Sequence, residues 1–149
     1  MSICLRDGVT TEILGEATTP APSNENLETL EGFGSMAPKR ADLQRSFRGD
    51  RGFATWLRAL EAHGNSINVG SYLGATTVRT FVMGQRPGPA NASELEQMRR
   101  LVRNAMEDGA FGISSALIYP PGSYAGTTEL VEMAKAMAPY QGKYITHMR

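Results

Sequence analysis

The chain has 149 residues, a formal net charge of zero and a hydrophobic fraction of 41%, which suits one packed domain and is too little for two. The balanced charge argues against binding to nucleic acid or to an anionic membrane. No apolar run approaches the roughly 18 residues needed to cross a bilayer. The one cysteine, Cys4, excludes an intrachain disulfide and a cysteine-built zinc site. We therefore expect a soluble, cytoplasmic, globular chain.

The first half of the chain predicts two strands separated by a loop and a helix. A β-branched run over 9–14 predicts the first strand. The stretch 17–50 is rich in Pro, Gly and Ser and predicts a long loop region. Apolar residues at helical spacing over 53–60 predict a helix, and 67–73 predicts the second strand.

The second half continues the alternation. Ser93 followed by Glu96 matches a capping box and predicts a helix that ends at Asp108. The later predicted elements are a strand over 111–119, a helix that starts at Thr127 or Thr128 and a strand over 143–148. We expect this last helix to bury Leu130, Val131, Ala134 and Met137.

Strands that alternate with helices predict an α/β fold with about four parallel strands and intervening helices. Two architectures fit this pattern: a small open sheet, or part of a (β/α)₈ TIM-type barrel, since a whole barrel needs about 250 residues. A part barrel has open strand edges and an unfilled interior, so we also expect self-association through those edges.

Polar residues that follow the predicted strands are the candidate site, because ligands gather at the carboxyl ends of parallel strands. His147 is the sharpest candidate, as a metal ligand or general base, although a solvated histidine fits the pattern too. Glu16, four residues after Glu12, could hold a divalent cation or be solvated. The segment 74–79 and Tyr119 also follow strands. Nucleotide-binding glycine motifs and a serine-hydrolase elbow are absent.

Several segments, in the same order along the chain, carry a family resemblance. They are 8–16, 68–79, 82–84 followed by 94–98, 105–125 and 144–149. Together they resemble the N-acyl-D-amino-acid deacylases (D-aminoacylases) of the amidohydrolase superfamily, and 105–125 is the most specific match. The resemblance implies a metal-dependent hydrolase, usually with zinc, on a (β/α)₈ barrel with a small β-sandwich. Its implied reaction cleaves the amide bond of N-acyl-D-amino acids.

The resemblance also implies roles for single residues. His147 matches a metal-binding histidine of the family. Ala17 stands roughly where several relatives have a cysteine ligand, so the neighbouring Glu16 could substitute as a ligand. Tyr119 is implied to line the substrate pocket, and Arg149 to orient the histidine or bind a carboxylate.

The sequence departs from the family pattern at both ends. The family's paired metal histidines should precede Gly8, and a further histidine and the catalytic aspartate should follow Arg149. We therefore expect 1–149 to be a single internal fragment of the barrel domain, with little deacylase activity alone. Three hypotheses stay open: a segment that works within a larger enzyme, a truncated product without catalysis, and a small α/β binding module.

Overall fold

The computed structural model describes residues 6–28, 42 and 44–147. Strands and helices alternate through most of this part of the chain. In order, its elements are β1 (Thr11–Leu14), α1 (Glu25–Glu28), α2 (Gly52–His63), β2 (Asn68–Ser71), β3 (Leu73–Gly74), α3 (Ala75–Met83), α4 (Ala92–Glu107), β4 (Gly112–Ala116), α5 (Thr127–Met137) and β5 (Lys143–His147). Short 3₁₀ turns lie at Gly122–Tyr124 and Ala138–Tyr140.

Every strand pairing in these ranges is parallel. β1 pairs with β2, β3 pairs with β4, and β4 pairs with β5. Only Tyr72 separates β2 from β3, and its N–H donates to the Leu14 carbonyl at 2.9 Å, while Ser71 accepts from Phe111 at 2.9 Å. Neighbouring strands therefore follow one another in the chain, and their carboxyl ends meet at one edge. The predicted α/β class with parallel strands and intervening helices is confirmed.

The two faces of these strands differ sharply. On one face, here called the helix face, Leu73 and Ile113 are each 1% exposed and belong to one core with helix residues. That core includes Phe53, Trp56, Val78, Met98, Leu101, Val102 and Met133. The opposite side, here called the open face, carries Ile13, Tyr72, Phe111 and Ile145. On it Ile13, Phe111 and Ile145 are 40–48% exposed, so the described residues leave an apolar surface uncovered.

One helix was not predicted, and two local predictions are wrong. Helix α3 occupies 75–83, where the segment 74–79 was predicted only to follow a strand. Its threonines weaken the helical signal that buried Val78 and Met83 supply. The capping box uses Asn91 and Glu94, two residues before the predicted pair. Val131 of α5 is exposed.

Other predicted elements agree with the structure to within a few residues. Helix α2 matches the prediction over 53–60, and β4 and β5 lie inside the predicted third and fourth strands. The predicted loop region 17–50 contains α1, and its residues 29–41 and 43 lie outside the described residues. Within the described ranges, the helices lack the length and apolar character of a membrane span.

Candidate metal and substrate site

Two sequence-predicted ligands meet at the carboxyl edge of the strands. Glu16 follows β1, and His147 is the last residue of β5, where it pairs with Ala116 of β4. The His147 Nδ1 atom lies 3.0 Å from Glu16 Oε1, although 131 positions separate the two residues. Both side chains are more than half exposed. The fold therefore brings an imidazole and a carboxylate together from opposite ends of the chain.

A cleft of about 480 Å³ opens beside this pair on the open face. Its floor is apolar, and Tyr72 meets Phe111 there edge to face, with ring centroids 6.2 Å apart. Its remaining lining residues are Ile13, Leu14, Glu16, Ser114, Ser115, Ile145, Thr146 and His147. A mostly apolar concave surface with few convergent polar groups is typical of a small-molecule site.

The Glu16–His147 pair has the chemistry and spacing of two ligands to one divalent cation. Zinc bound tetrahedrally at about 2.0–2.1 Å holds neighbouring ligand atoms about 3.3 Å apart, close to the observed 3.0 Å. A hydrolytic zinc site uses three protein ligands and an open position. No group of three His, Cys, Asp or Glu side chains suited to a metal occurs among the described residues. The pair therefore fits a cation as part of a ligand set.

The predicted substrate-binding residues do not line the cleft in the part of the chain that the structure describes. Tyr119 lies in the loop after β4 and is 67% exposed. That loop is held close to α3, since a Cβ added to Gly122 would lie 2.6 Å from Thr76 Oγ1. Arg149 lies outside the described residues. Tyr119 thus lies after β4, at the edge of the strands where the cleft opens, but it does not line the cleft.

Arg79, in the segment 74–79 that was predicted to follow a strand, is not a surface ligand. Its guanidinium is buried on the helix face and pairs with Glu129 of α5. It also donates to the carbonyls of Gly88 at 2.6 Å and Arg86 at 3.1 Å. Burial raises the pKa of the Glu129 carboxyl, and the Arg79 charge opposes that shift. This ion pair joins α3, α5 and the loop after α3, and it lies away from the cleft.

The cleft floor and the serine beside it were not predicted from the sequence. Tyr72, Phe111 and Ser114 lie in or beside predicted strands, and strand alternation alone places side chains on faces without saying which face is covered. The exposure of Phe111 identifies the open face only once the helices are placed.

Known proteins with similar sequences are deacylases. The chain is 34% identical over 142 residues to a D-aminoacylase of Alcaligenes xylosoxydans xylosoxydans, covering 95% of this chain and 26% of that protein. It is 38% identical over 98 residues to an N-acyl-D-aspartate deacylase of the same organism, covering 65% and 20%. The chain thus spans about a quarter or less of these relatives. No protein-family model matches it.

Solved structures agree with the sequence relatives. A crystal structure of D-aminoacylase, described as defining a novel subset of amidohydrolases, superposes with a TM-score of 0.79 at 30% identity over 97% of this chain and 29% of that one. An N-acyl-D-glutamate deacylase from Bordetella bronchiseptica, complexed with zinc and a phosphonate inhibitor, gives a TM-score of 0.78 at 25% identity with the same coverage. Another D-aminoacylase structure concerns its binuclear metal center.

Proposed function

We propose that this chain, which belongs to the N-acyl-D-amino-acid deacylase family of amidohydrolases, supplies part of the metal and substrate site of a hydrolase. The reaction we propose is cleavage of the amide bond of N-acyl-D-amino acids to a carboxylate and a free D-amino acid. Of the sequence relatives described above, one is a D-aminoacylase and the other is an N-acyl-D-aspartate deacylase. Their names support this substrate class.

The Glu16–His147 pair is the observation that carries this proposal. We assign both side chains as ligands of a divalent cation, because they converge to 3.0 Å at the mouth of an apolar cleft. Imidazole and carboxylate donors suit zinc, and a structural neighbour was solved with zinc, so we propose Zn²⁺. A bound zinc ion polarises an acyl carbonyl and lowers the pKa of a bound water toward 7.

The cleft and the residues after the strands supply substrate binding in this proposal. Tyr72 and Phe111 offer an apolar floor suited to an acyl chain or an apolar side chain. Tyr119 follows β4 at the same edge, and we propose that it contacts substrate from there. We propose that Arg149 binds the substrate carboxylate, since a guanidinium pairs with a carboxylate through two parallel hydrogen bonds.

The open face supports a (β/α)₈ barrel as the setting of this site. Parallel sheets are normally covered on both faces, yet Ile13, Phe111 and Ile145 lie exposed opposite the helices. The consecutive strand order suits an arc of a barrel whose interior is the open face. We propose that further barrel strands cover this face in the active enzyme, and that the 149-residue chain alone self-associates through it.

Catalytic inactivity of the 149-residue chain alone is the second candidate. The two donors of the Glu16–His147 pair favour it, since a hydrolytic zinc site needs three protein ligands. The statement that no third ligand joins this pair applies to the residues that the structure describes.

Zinc-dependent hydrolysis tests the proposed function. The longest polypeptide that the gene encodes should release D-amino acid from an N-acetyl-D-amino acid and lose this activity on chelation. His147→Ala should lower the rate at least about 100-fold, since even groups that only support metal ligands contribute 10–100-fold. The matched control is His63→Ala, because the chain has two histidines and His63 ends α2. Hydrolysis that survives chelation, or that is equal in the two variants, would refute the proposal.

A further inference from the structure

The turn after β1 has an unusual backbone. Gly15 has φ of +94° and Ala17 has φ of +58°, so two of three consecutive residues are left-handed. Between them Glu16 accepts, through its carbonyl, the Thr18 N–H at 2.6 Å. The left-handed region is unfavourable for alanine, and residues held in it depend on their surroundings. The neighbouring structure must therefore maintain the conformation that points Glu16 into the mouth.

Contacts from β4 and α3 maintain this turn. The hydroxyl of Ser114, which is fully buried, donates to the Gly15 carbonyl across 99 positions of sequence. The Thr76 N–H, in the first turn of α3, donates to the Ala17 carbonyl at 3.1 Å. Gly74 allows this close approach, because a Cβ there would lie 2.4 Å from the same carbonyl oxygen.

We propose that Ser114 is a positioning residue for the metal ligand Glu16. Its strand, β4, also pairs with β5, where Ala116 lies opposite His147. One strand therefore fixes both members of the pair: Glu16 through the Ser114 hydroxyl, and His147 through the β4–β5 ladder. This inference rests on the proposed function for the role of Glu16 as a ligand, and it adds a residue that the ligand chemistry alone does not identify.

Ser115 provides a matched control. It is as buried as Ser114, but its hydroxyl contacts Tyr144 at 2.6 Å and Thr146 at 2.9 Å, away from the turn. Ser115→Ala removes the same atom from the next position of the same strand. A general loss of packing would affect both alanine variants, whereas loss of the Gly15 contact affects one.

The test reads the His147 ring by solid-state ¹⁵N nuclear magnetic resonance on the 149-residue chain labelled in histidine, which works whether or not the chain associates. His63→Gln removes the other histidine signal. Glu16→Gln defines the spectrum without the Nδ1–carboxylate contact. We expect Ser114→Ala to shift the ring signals to that reference and Ser115→Ala to retain the wild-type signals. Wild-type signals in Ser114→Ala would overturn the proposal.

A second pair of variants covers the case in which Ser114→Ala does not fold. Ala17→Gly accepts positive φ without strain, so it should retain the wild-type ring signals. Ala17→Val is β-branched and resists positive φ, so it should shift them to the reference. Equal spectra for the two would overturn the positioning role. Absence of zinc-dependent hydrolysis would instead refute the proposed function and leave the ring result standing.

Discussion

The helix face and the open face of the same strands differ in how far their apolar side chains are buried. Ile113 on the helix face is 1% exposed and packed on helices, while Ile145 on the neighbouring strand is 40% exposed in the cleft. Apolar burial stabilises the first face at about 25 cal/mol per Å². The second face keeps apolar side chains and the Glu16–His147 pair accessible. The difference indicates that apolar packing stabilises the chain on one side of the strands, while the candidate site lies on the other side.

Removal of the Arg79 charge should give the largest effect on stability. Arg79→Met leaves Glu129 buried without its cation, which costs about 3–5 kcal/mol of unfolding free energy. Adding Glu129→Leu should recover much of this loss, since apolar pairs often replace buried ion pairs well.

The measurement for the Arg79 variants is denaturant unfolding followed by circular dichroism. Lys135→Met is the control, because Lys135 pairs with Glu132 on the exposed side of α5 and should hardly alter the midpoint. Equal losses for Arg79→Met and Lys135→Met would mean that the buried pair does not support the helix face.

A matched isoleucine pair tests the comparison directly. Ile113→Ala should lower the unfolding free energy by about 2–5 kcal/mol, because it opens a cavity in the core. Ile145→Ala should change it by about 0.5 kcal/mol or less, as for other exposed positions.

Light scattering extends the isoleucine test to association. Ile145→Ala should reduce self-association of the 149-residue chain, since it removes apolar surface from the open face. Ile113→Ala should not reduce it. Similar stability losses for both variants, or unchanged association for Ile145→Ala, would break the distinction between the two faces.

The smallest expected effect is a pH dependence at the start of α4. The Asn91 N–H, and then Arg86, lower the pKa of the Glu94 carboxyl in the folded chain. The ionised Glu94 carboxylate therefore stabilises the folded chain fully above the unfolded pKa of about 4.3. This stabilisation is lost as the pH falls through the lower pKa that Glu94 has in the folded chain.

Glu94→Gln keeps an acceptor for the cap and removes the titration. We expect the free energy of unfolding of this variant to be about 0.5 kcal/mol below that of wild type at pH 7. The gap should close as the pH falls through the lowered pKa of Glu94 in the folded chain. Calorimetry across this range measures the gap. A gap that is constant with pH would contradict the assigned role of the carboxylate.

The meeting of His147 and Glu16 at one strand edge could be predicted from local signals in the sequence. Each is a polar residue after a β-branched run, and parallel strands bring such ends together. Their role as ligands stays a prediction. The predicted cap of α4 was wrong, and the reason is also local. Asn91 with Glu94 and Ser93 with Glu96 are overlapping patterns, and only the structure shows that Glu96 pairs with Arg99 and Arg103 instead.

Long-range contacts were beyond sequence reasoning. The Ser114–Gly15 hydrogen bond spans 99 positions. Neither a serine nor a glycine in the sequence indicates that it will contact the other. The burial of Arg79 depends on helix α3, whose threonine-rich sequence resembles a strand or loop. Strand pairing and helix placement decide these contacts, and both arise only from the packed fold.

Zinc content is the most direct test of the claim that His147 and Glu16 hold a divalent cation. The longest polypeptide that the gene encodes, loaded with zinc and dialysed, is measured by elemental analysis as wild type, His63→Ala and His147→Ala. We predict equal zinc per chain in wild type and His63→Ala and a marked loss in His147→Ala. Full zinc content in His147→Ala would contradict it, since the imidazole beside Glu16 could then not be a ligand.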